Sequence, residues 1–208
     1  MLFSSLEFLL FLPIAFVLYW FVFNRDLKLQ NFFVVLISYV FYGWWDPLFL
    51  VLLFISTLVD YLSCIGMSNT MNKVVKKRYL YLSYIVNLSL LMVFKYFDFF
   101  QESFVESMSL LGFNMENSPI NLILPIGISF YTFQTLSYTI DVYRGVVLPS
   151  NNFLAFAAYV SFFPQLVAGP IERAKKLLPQ FLVNREFSYN YAIDGCRQIL
   201  CGFFKKIV

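Results

Sequence analysis

Apolar residues in this chain come in long runs rather than in the stripes of a soluble amphipathic helix. Leu6–Phe23 is broken only by Glu7 near its start and by Pro13, and Phe32–Trp45, Leu48–Val59, Tyr79–Phe94, Leu122–Tyr138 and Phe153–Ala168 follow. Runs of roughly 12 to 18 such residues predict membrane helices, several of them shorter than the ~20 residues of an upright span and so implying local thinning or interfacial extension. Pro13 predicts a kink in the first span. Gly43-Trp44-Trp45-Asp46-Pro47 predicts a turn at headgroup level, so that Phe32–Val59 folds as a tight helical hairpin.

The polar intervals set a topology. Asn24–Gln30 carries Arg25 and Lys28, and Asp60–Arg78 carries Lys73, Lys76, Lys77 and Arg78. Basic loops stay in the cytoplasm, which makes these two internal. Asp98–Asn121 holds Asp98, Glu102, Glu106 and Glu116 without a basic residue and is punctuated by Gly112 and Pro119. It reads as an external amphipathic segment plus loop. Ser83 and Asn87, four apart, share a helix face and predict contact with a neighbouring helix.

The alternation then fails. If Leu122–Tyr138 and Phe153–Ala168 both cross, the loop with Arg173, Lys175, Lys176 and Arg185 falls outside, against the charge rule. One of the two must enter and leave on the same side, which is tolerated only where protein or a cavity shelters the backbone. Pro164, Gly169 and Pro170 favour Phe153–Pro170 as the re-entrant one; Pro125 and Gly127 break the other near its start. Tyr189–Val208 has Ile193, Cys196, Leu200, Phe203 and Ile207 at helical spacing, with Asp194, Arg197, Lys205 and Lys206 between them. It predicts an interfacial helix leading into another span, with the chain cut short at Val208.

Composition confirms the class and removes others. Hydrophobic residues make up 60% and charged residues 13%, against about 25% charged in soluble domains. The fold expected is all-α and multi-pass, with tilted helices and at least one broken or re-entrant segment, forming a single domain. The basic runs are short and juxtamembrane, so nucleic acid is not an expected partner; the lipid bilayer is. Cys64, Cys196 and Cys201 give neither a metal signature nor a disulfide framework, and the histidine count is 0.

Three blocks carry a family resemblance. They are Asn87–Leu91 running into Phe94–Phe100, Leu124–Gln134 continuing through Ser137-Tyr138 to Asp141–Gly145, and Phe163–Arg173; Gly202–Val208 adds a fourth segment. Here the chain resembles the N-terminal part of a membrane-bound O-acyltransferase of the alginate O-acetylase type. The resemblance implies a ring of tilted helices around a funnel, and transfer of an acyl group, usually acetyl, to hydroxyls of an exported polysaccharide such as alginate. It also implies a bacterial cell-membrane location, an acyl donor such as acetyl-CoA as substrate, no bound cofactor or metal, and an extracytoplasmic partner protein that completes the transfer. The family's catalytic histidine lies beyond the segment matching Val208, so no catalytic residue is assigned here.

Within these blocks the candidate funnel residues are Gln134, Asp141, Tyr143, Arg144, Gln165, Glu172 and Arg173, with Pro125, Gly127, Pro164, Gly169 and Pro170 shaping the backbone. Arg144 and Arg173 either hold anionic groups of the donor or pair with Asp141 and Glu172. Gln134 and Gln165 either bind substrate or bridge helices. Two other readings stay open: a transporter or acyl conduit, since broken helices with polar mid-membrane residues suit both, and a non-catalytic scaffold, favoured by the absence of an imidazole base.

Overall fold

The computed structural model describes residues 5–44, 46–110, 127–170 and 172–207, and these contain helices and turns with no strand. The expectations at Trp45, Gly112, Pro119 and Pro125 lie outside the described residues. Helix α1 (Leu6–Val17) is capped by Ser5, runs through Pro13 and ends in a wide turn, Leu18–Val22. Helices α2 (Leu27–Gly43), α3 (Leu48–Ser68), α4 (Lys73–Leu110) and α5 (Ile128–Tyr143) follow. Then come α6 (Phe153–Ser161), α7 (Phe163–Ala168), the short α8 (Ala174–Leu177) and α9 (Tyr189–Ile207).

Three boundaries differ from expectation. Helix α2 starts at Leu27, because the Asp26 side chain accepts from the Lys28 N–H and caps it inside the stretch expected as a loop. Helix α3 continues past Val59 to Ser68, giving 21 residues or about 31 Å, enough to cross without thinning. Asp60, expected to open the basic loop, is a fully buried member of that helix. Helix α4 carries on for 38 residues, about 57 Å, so the acidic segment is in part its far end. The stretches Leu48–Ser68 and Lys73–Phe97 are long and apolar enough to cross a membrane.

Side-chain contacts orient the helices. Asn87 of α4 meets Ser56 and Asp60 of α3, while Ser83 meets Asp60, so the two are antiparallel. Lys95 reaches Ser129 at 3.4 Å and Ser83 meets Thr139 at 3.5 Å, which sets α5 antiparallel to α4. One end of the bundle therefore gathers residues 68–79 and 139–152, and the other gathers residues 43–50 and 127–129.

The segment 153–185 goes out and back. It starts at the first end, where the Tyr61 hydroxyl donates to the Asn151 carbonyl (2.9 Å) and the Phe153 ring lies 5.1 Å from Tyr61. Ala155, Ala157 and Ala158 of α6 are at most 4% exposed, small residues that let backbones approach as membrane interfaces require. The chain breaks at Phe162, and Pro164 occupies the first turn of α7, where its missing N–H costs nothing. The freed Phe163 N–H donates to Ser38 Oγ (3.2 Å) and the Phe163 ring packs on Phe41. The return ends at the first end again, where Asn31 Nδ2 donates to the Phe181 carbonyl at 2.7 Å.

Candidate functional site

The turn-around of this excursion is fitted against the start of α5. Gly127 takes φ +81°, and a Cβ there would lie 2.8 Å from the Leu166 carbonyl oxygen. Only glycine meets both demands, positive φ and backbone contact. At Gly169 a Cβ would come within 2.8 Å of Gln165 Cα, so the chain turns back directly over α7. Gln165 Nε2 donates to the Pro170 carbonyl (3.2 Å), which closes that turn.

Of the two glutamines, Gln134 bridges helices: its Nε2 donates to the Tyr159 carbonyl of α6 at 3.0 Å. Gln165 keeps a buried Oε1 with no partner, and the buried Tyr131 hydroxyl, one turn into α5, also has none. Unspent hydrogen-bonding groups in a packed interior are costly unless something fills them. Of the two, Gln165 belongs to the turn-around itself, on α7, and its Oε1 is the group of the excursion still able to bind a polar partner. An apolar cleft lies beside it, bounded by α1, α2, Phe162 and Pro164.

The charged candidates are placed elsewhere. Asp141 and Tyr143 belong to the last turn of α5, which runs past Tyr138 where the apolar run ends, and the Asp141 carbonyl accepts from Val146 N–H at 2.8 Å. Arg144 caps that helix and is exposed, as is Arg173, while Glu172 is half-buried and its carbonyl accepts from the Tyr159 hydroxyl (3.4 Å). Neither the Asp141–Arg144 nor the Glu172–Arg173 ion pair forms; among the described residues the ion pair is Arg197–Asp194, 3.5 Å apart. Arg144 sits at the first end, Glu172 opposite Tyr159 midway along the excursion, and Gln165 at the apex, so the structure does not bring the seven into one cluster.

Ser83 and Asn87 make the expected contact with a neighbouring helix, while two of the polar partners involved in such contacts, Asp60 and Arg185, were missed in the sequence. Asp60 Oδ1 accepts from Ser83 Oγ and from Asn87 Nδ2 (2.8 Å), Asn87 Oδ1 accepts from Ser56, and Cys64 Sγ contacts Thr139 Oγ1 at 3.7 Å. This network ties α3, α4 and α5 together. Its signal was available: Ser56, Asp60 and Ser63 on α3, Ser83 and Asn87 on α4, and Thr132, Thr135 and Thr139 on α5 each recur at helical spacing. The second group is Arg185. It donates to Gln30 Oε1 (3.1 Å), Asn31 Oδ1 (2.6 Å) and the Gln180 carbonyl (2.9 Å), and its guanidinium stands 4.9 Å from the Phe181 ring centre. Such planar multidentate contact is suited to arginine and not lysine. Gln30 and Asn31 lie 155 and 154 residues away, so no local signal exists.

Known proteins match along the full chain. A "probable alginate O-acetylase" of Pseudomonas aeruginosa is 39% identical over 211 residues, covering 100% of this chain and 39% of the relative. Its counterpart in Pseudomonas putida is 40% identical over 211 residues, with 100% and 42% covered. Over its whole length the chain is similar in sequence to the alginate O-acetylases. A peptidoglycan O-acetyltransferase of Helicobacter pylori is 31% identical over 226 residues, covering 95% of the chain and 42% of the relative. No family profile and no solved structure matches. The chain spans about two-fifths of the length of the curated relatives it matches.

Proposed function

We propose that the chain is the N-terminal part of a bacterial cell-membrane O-acyltransferase that acetylates hydroxyls of an exported polysaccharide, with segment 153–181 as the re-entrant wall of its substrate funnel. The observation that carries the re-entrant reading is the placement of Arg185 against Gln30 and Asn31. It puts the basic return of the excursion at the end of the bundle that also holds Lys73–Arg78, which is the cytoplasmic side by charge. The sign conflict in the sequence then disappears, since 153–181 both starts and finishes there.

Transfer from a thioester donor such as acetyl-CoA to a sugar hydroxyl forms an ester and releases a thiol, with the hydroxyl proton removed as the bond forms. An imidazole base contributes ~10²–10⁴-fold to such a step, and these 208 residues hold 0 histidines. The part played here is positioning. Gln165 Oε1 offers a hydrogen bond at the turn-around, and exposed Arg144 and Arg173 suit the phosphates of the donor. The relatives' names, "probable alginate O-acetylase" and "peptidoglycan O-acetyltransferase", support the reaction class. A polysaccharide acceptor and an extracytoplasmic acyl-transfer partner belong to the same proposal. A non-catalytic scaffold is the second reading for the 208 residues taken alone, favoured by the missing imidazole.

The test uses membranes from the source cell, acetyl-labelled acetyl-CoA and the cell's own exported glycan. Alkali-labile label in the glycan is expected, and it should fall when Gln165→Leu replaces the native residue. Label that stays in lipid or protein and never reaches glycan would overturn the proposal.

A further inference from the structure

Helix α9 is cleanly two-faced. At ~100° per residue, Tyr189, Ala192, Ile193, Cys196, Ile199, Leu200, Phe203 and Phe204 fall within an arc of roughly 140°. Asp194, Arg197, Gln198, Cys201 and Lys205 take the opposite side. The protein leaves much of the apolar arc bare: Leu200 is 69% exposed and Phe204 65%. A transmembrane placement would carry Asp194, Arg197 and Lys205 into hydrocarbon, which charged side chains avoid.

What covers the bare arc is indicated by its neighbour and by charge. Across an open apolar cleft, Ala192, Cys196 and Ile199 face Leu12, Phe16 and Val17 of α1, and α1 itself turns Leu9, Leu10 and Ile14 outward. The apolar side of α9 is therefore continuous with a surface that has the character of a lipid-facing helix. The polar side ends in Lys205 beyond the Arg197–Asp194 pair, a cationic end that matches anionic headgroups. The helix starts four residues after Arg185, at the end of the bundle that carries Lys73–Arg78.

We propose that α9 lies in the plane of the cytoplasmic membrane surface, with Cys196, Leu200 and Phe204 against acyl chains and Arg197, Cys201 and Lys205 against water and anionic headgroups. This rests on the membrane orientation given above. It makes the interfacial part of the expected helix the whole of Tyr189–Ile207. An in-plane amphipathic helix of this kind would border the cytoplasmic approach to the funnel.

The two cysteines are built-in probes, since both are exposed to the protein's surroundings while Cys64 is buried. Full chains with Cys196→Ser or Cys201→Ser are placed in cytoplasmic-side-out vesicles and treated with a charged, impermeant maleimide. The double variant gives the background, and the double variant with Met71→Cys reports which side the Lys-rich turn occupies. Cys201 should label at about the rate of the Met71→Cys probe, and Cys196 at least about tenfold more slowly. A nitroxide on Cys196 should be relaxed by oxygen but not by a water-soluble nickel chelate, and less nickel contact is expected when the vesicles contain phosphatidylglycerol than when they are phosphatidylcholine alone.

Equal labelling of the two cysteines would overturn the proposal, as would a nitroxide shielded from both reagents, which would mean protein covers the arc. Equal nickel contact in the two lipids would overturn the headgroup pairing. If the Met71→Cys probe labels only from the opposite side, the orientation fails, and the Cys201 to Cys196 ratio measured on that side still decides the placement of α9.

Discussion

Replacing Asn87 by leucine tests how a membrane bundle is held when water provides no drive between helices. Within lipid, helix association rests on packing and hydrogen bonds, and Asn87 supplies three of the latter. Its Nδ2 donates to Asp60 Oδ1 (2.8 Å) and to the Ser83 carbonyl (3.0 Å), and its Oδ1 accepts from Ser56. Asn87→Leu leaves Asp60 Oδ1 with the Ser83 hydroxyl as its remaining donor, its Oδ2 already lacking a hydrogen-bond partner. Ser56 can turn to its own helix backbone, so the loss is confined to the carboxyl, and about 1–3 kcal/mol is expected. Asp60→Leu should cost about 1–2 kcal/mol, because Asn87 keeps the Ser83 carbonyl and Ser83 keeps Thr139 at 3.5 Å. The double variant removes both polar groups together and should cost less than the sum of the two by about 0.6–1.7 kcal/mol. Equilibrium unfolding of the full chain in bicelles, followed by tryptophan fluorescence, measures all three. Additive costs, or a neutral Asn87→Leu, would refute the view that this network clamps α3 to α4.

Gly127→Ala should destabilise by about 1–2 kcal/mol from positive φ and by more from the 2.8 Å approach to the Leu166 carbonyl. Gly145→Ala, with φ +73° and nothing within 4 Å of its Cβ, should carry the φ cost alone; thermal melts that rank them equally would deny the close contact. Arg185→Lys should lose most of what Arg185→Ala loses, about 1.5–3 kcal/mol, and full rescue by lysine in the same melts would contradict the multidentate reading. Asp194→Ala should change stability by less than about 0.5 kcal/mol, since its pair with Arg197 is exposed; a larger loss would place that pair in a buried setting.

What was legible in the sequence followed from local pattern. The apolar runs located α1 to α7, and the Pro and Gly positions of 164, 169 and 170 marked the break and turn-around. Asp60 was misread because a charge at the end of an apolar run looks the same as a boundary. What distinguishes it is its partners on α4, 23 and 27 residues away. The start of α2 was hidden by Lys28 and Gln30, which look like loop residues until Arg185 buries the glutamine at 2% exposure. Arg185 itself was counted as one more loop charge, though it fixes the side on which the excursion ends. Among the funnel candidates the backbone-shaping residues Gly127, Pro164 and Gly169 were readable, because φ and N–H requirements are local. The separation of Arg144, Glu172 and Gln165 was not, because it depends on how far the excursion travels.

The central claim is glycan O-acylation, and the most direct measurement is the O-acetyl content of the exported polysaccharide, read by proton NMR in cells with and without this gene. Loss of O-acetyl signal on deletion, restored when the gene is returned on a plasmid, is the predicted result. Unchanged acetyl content in the deletion strain would contradict it.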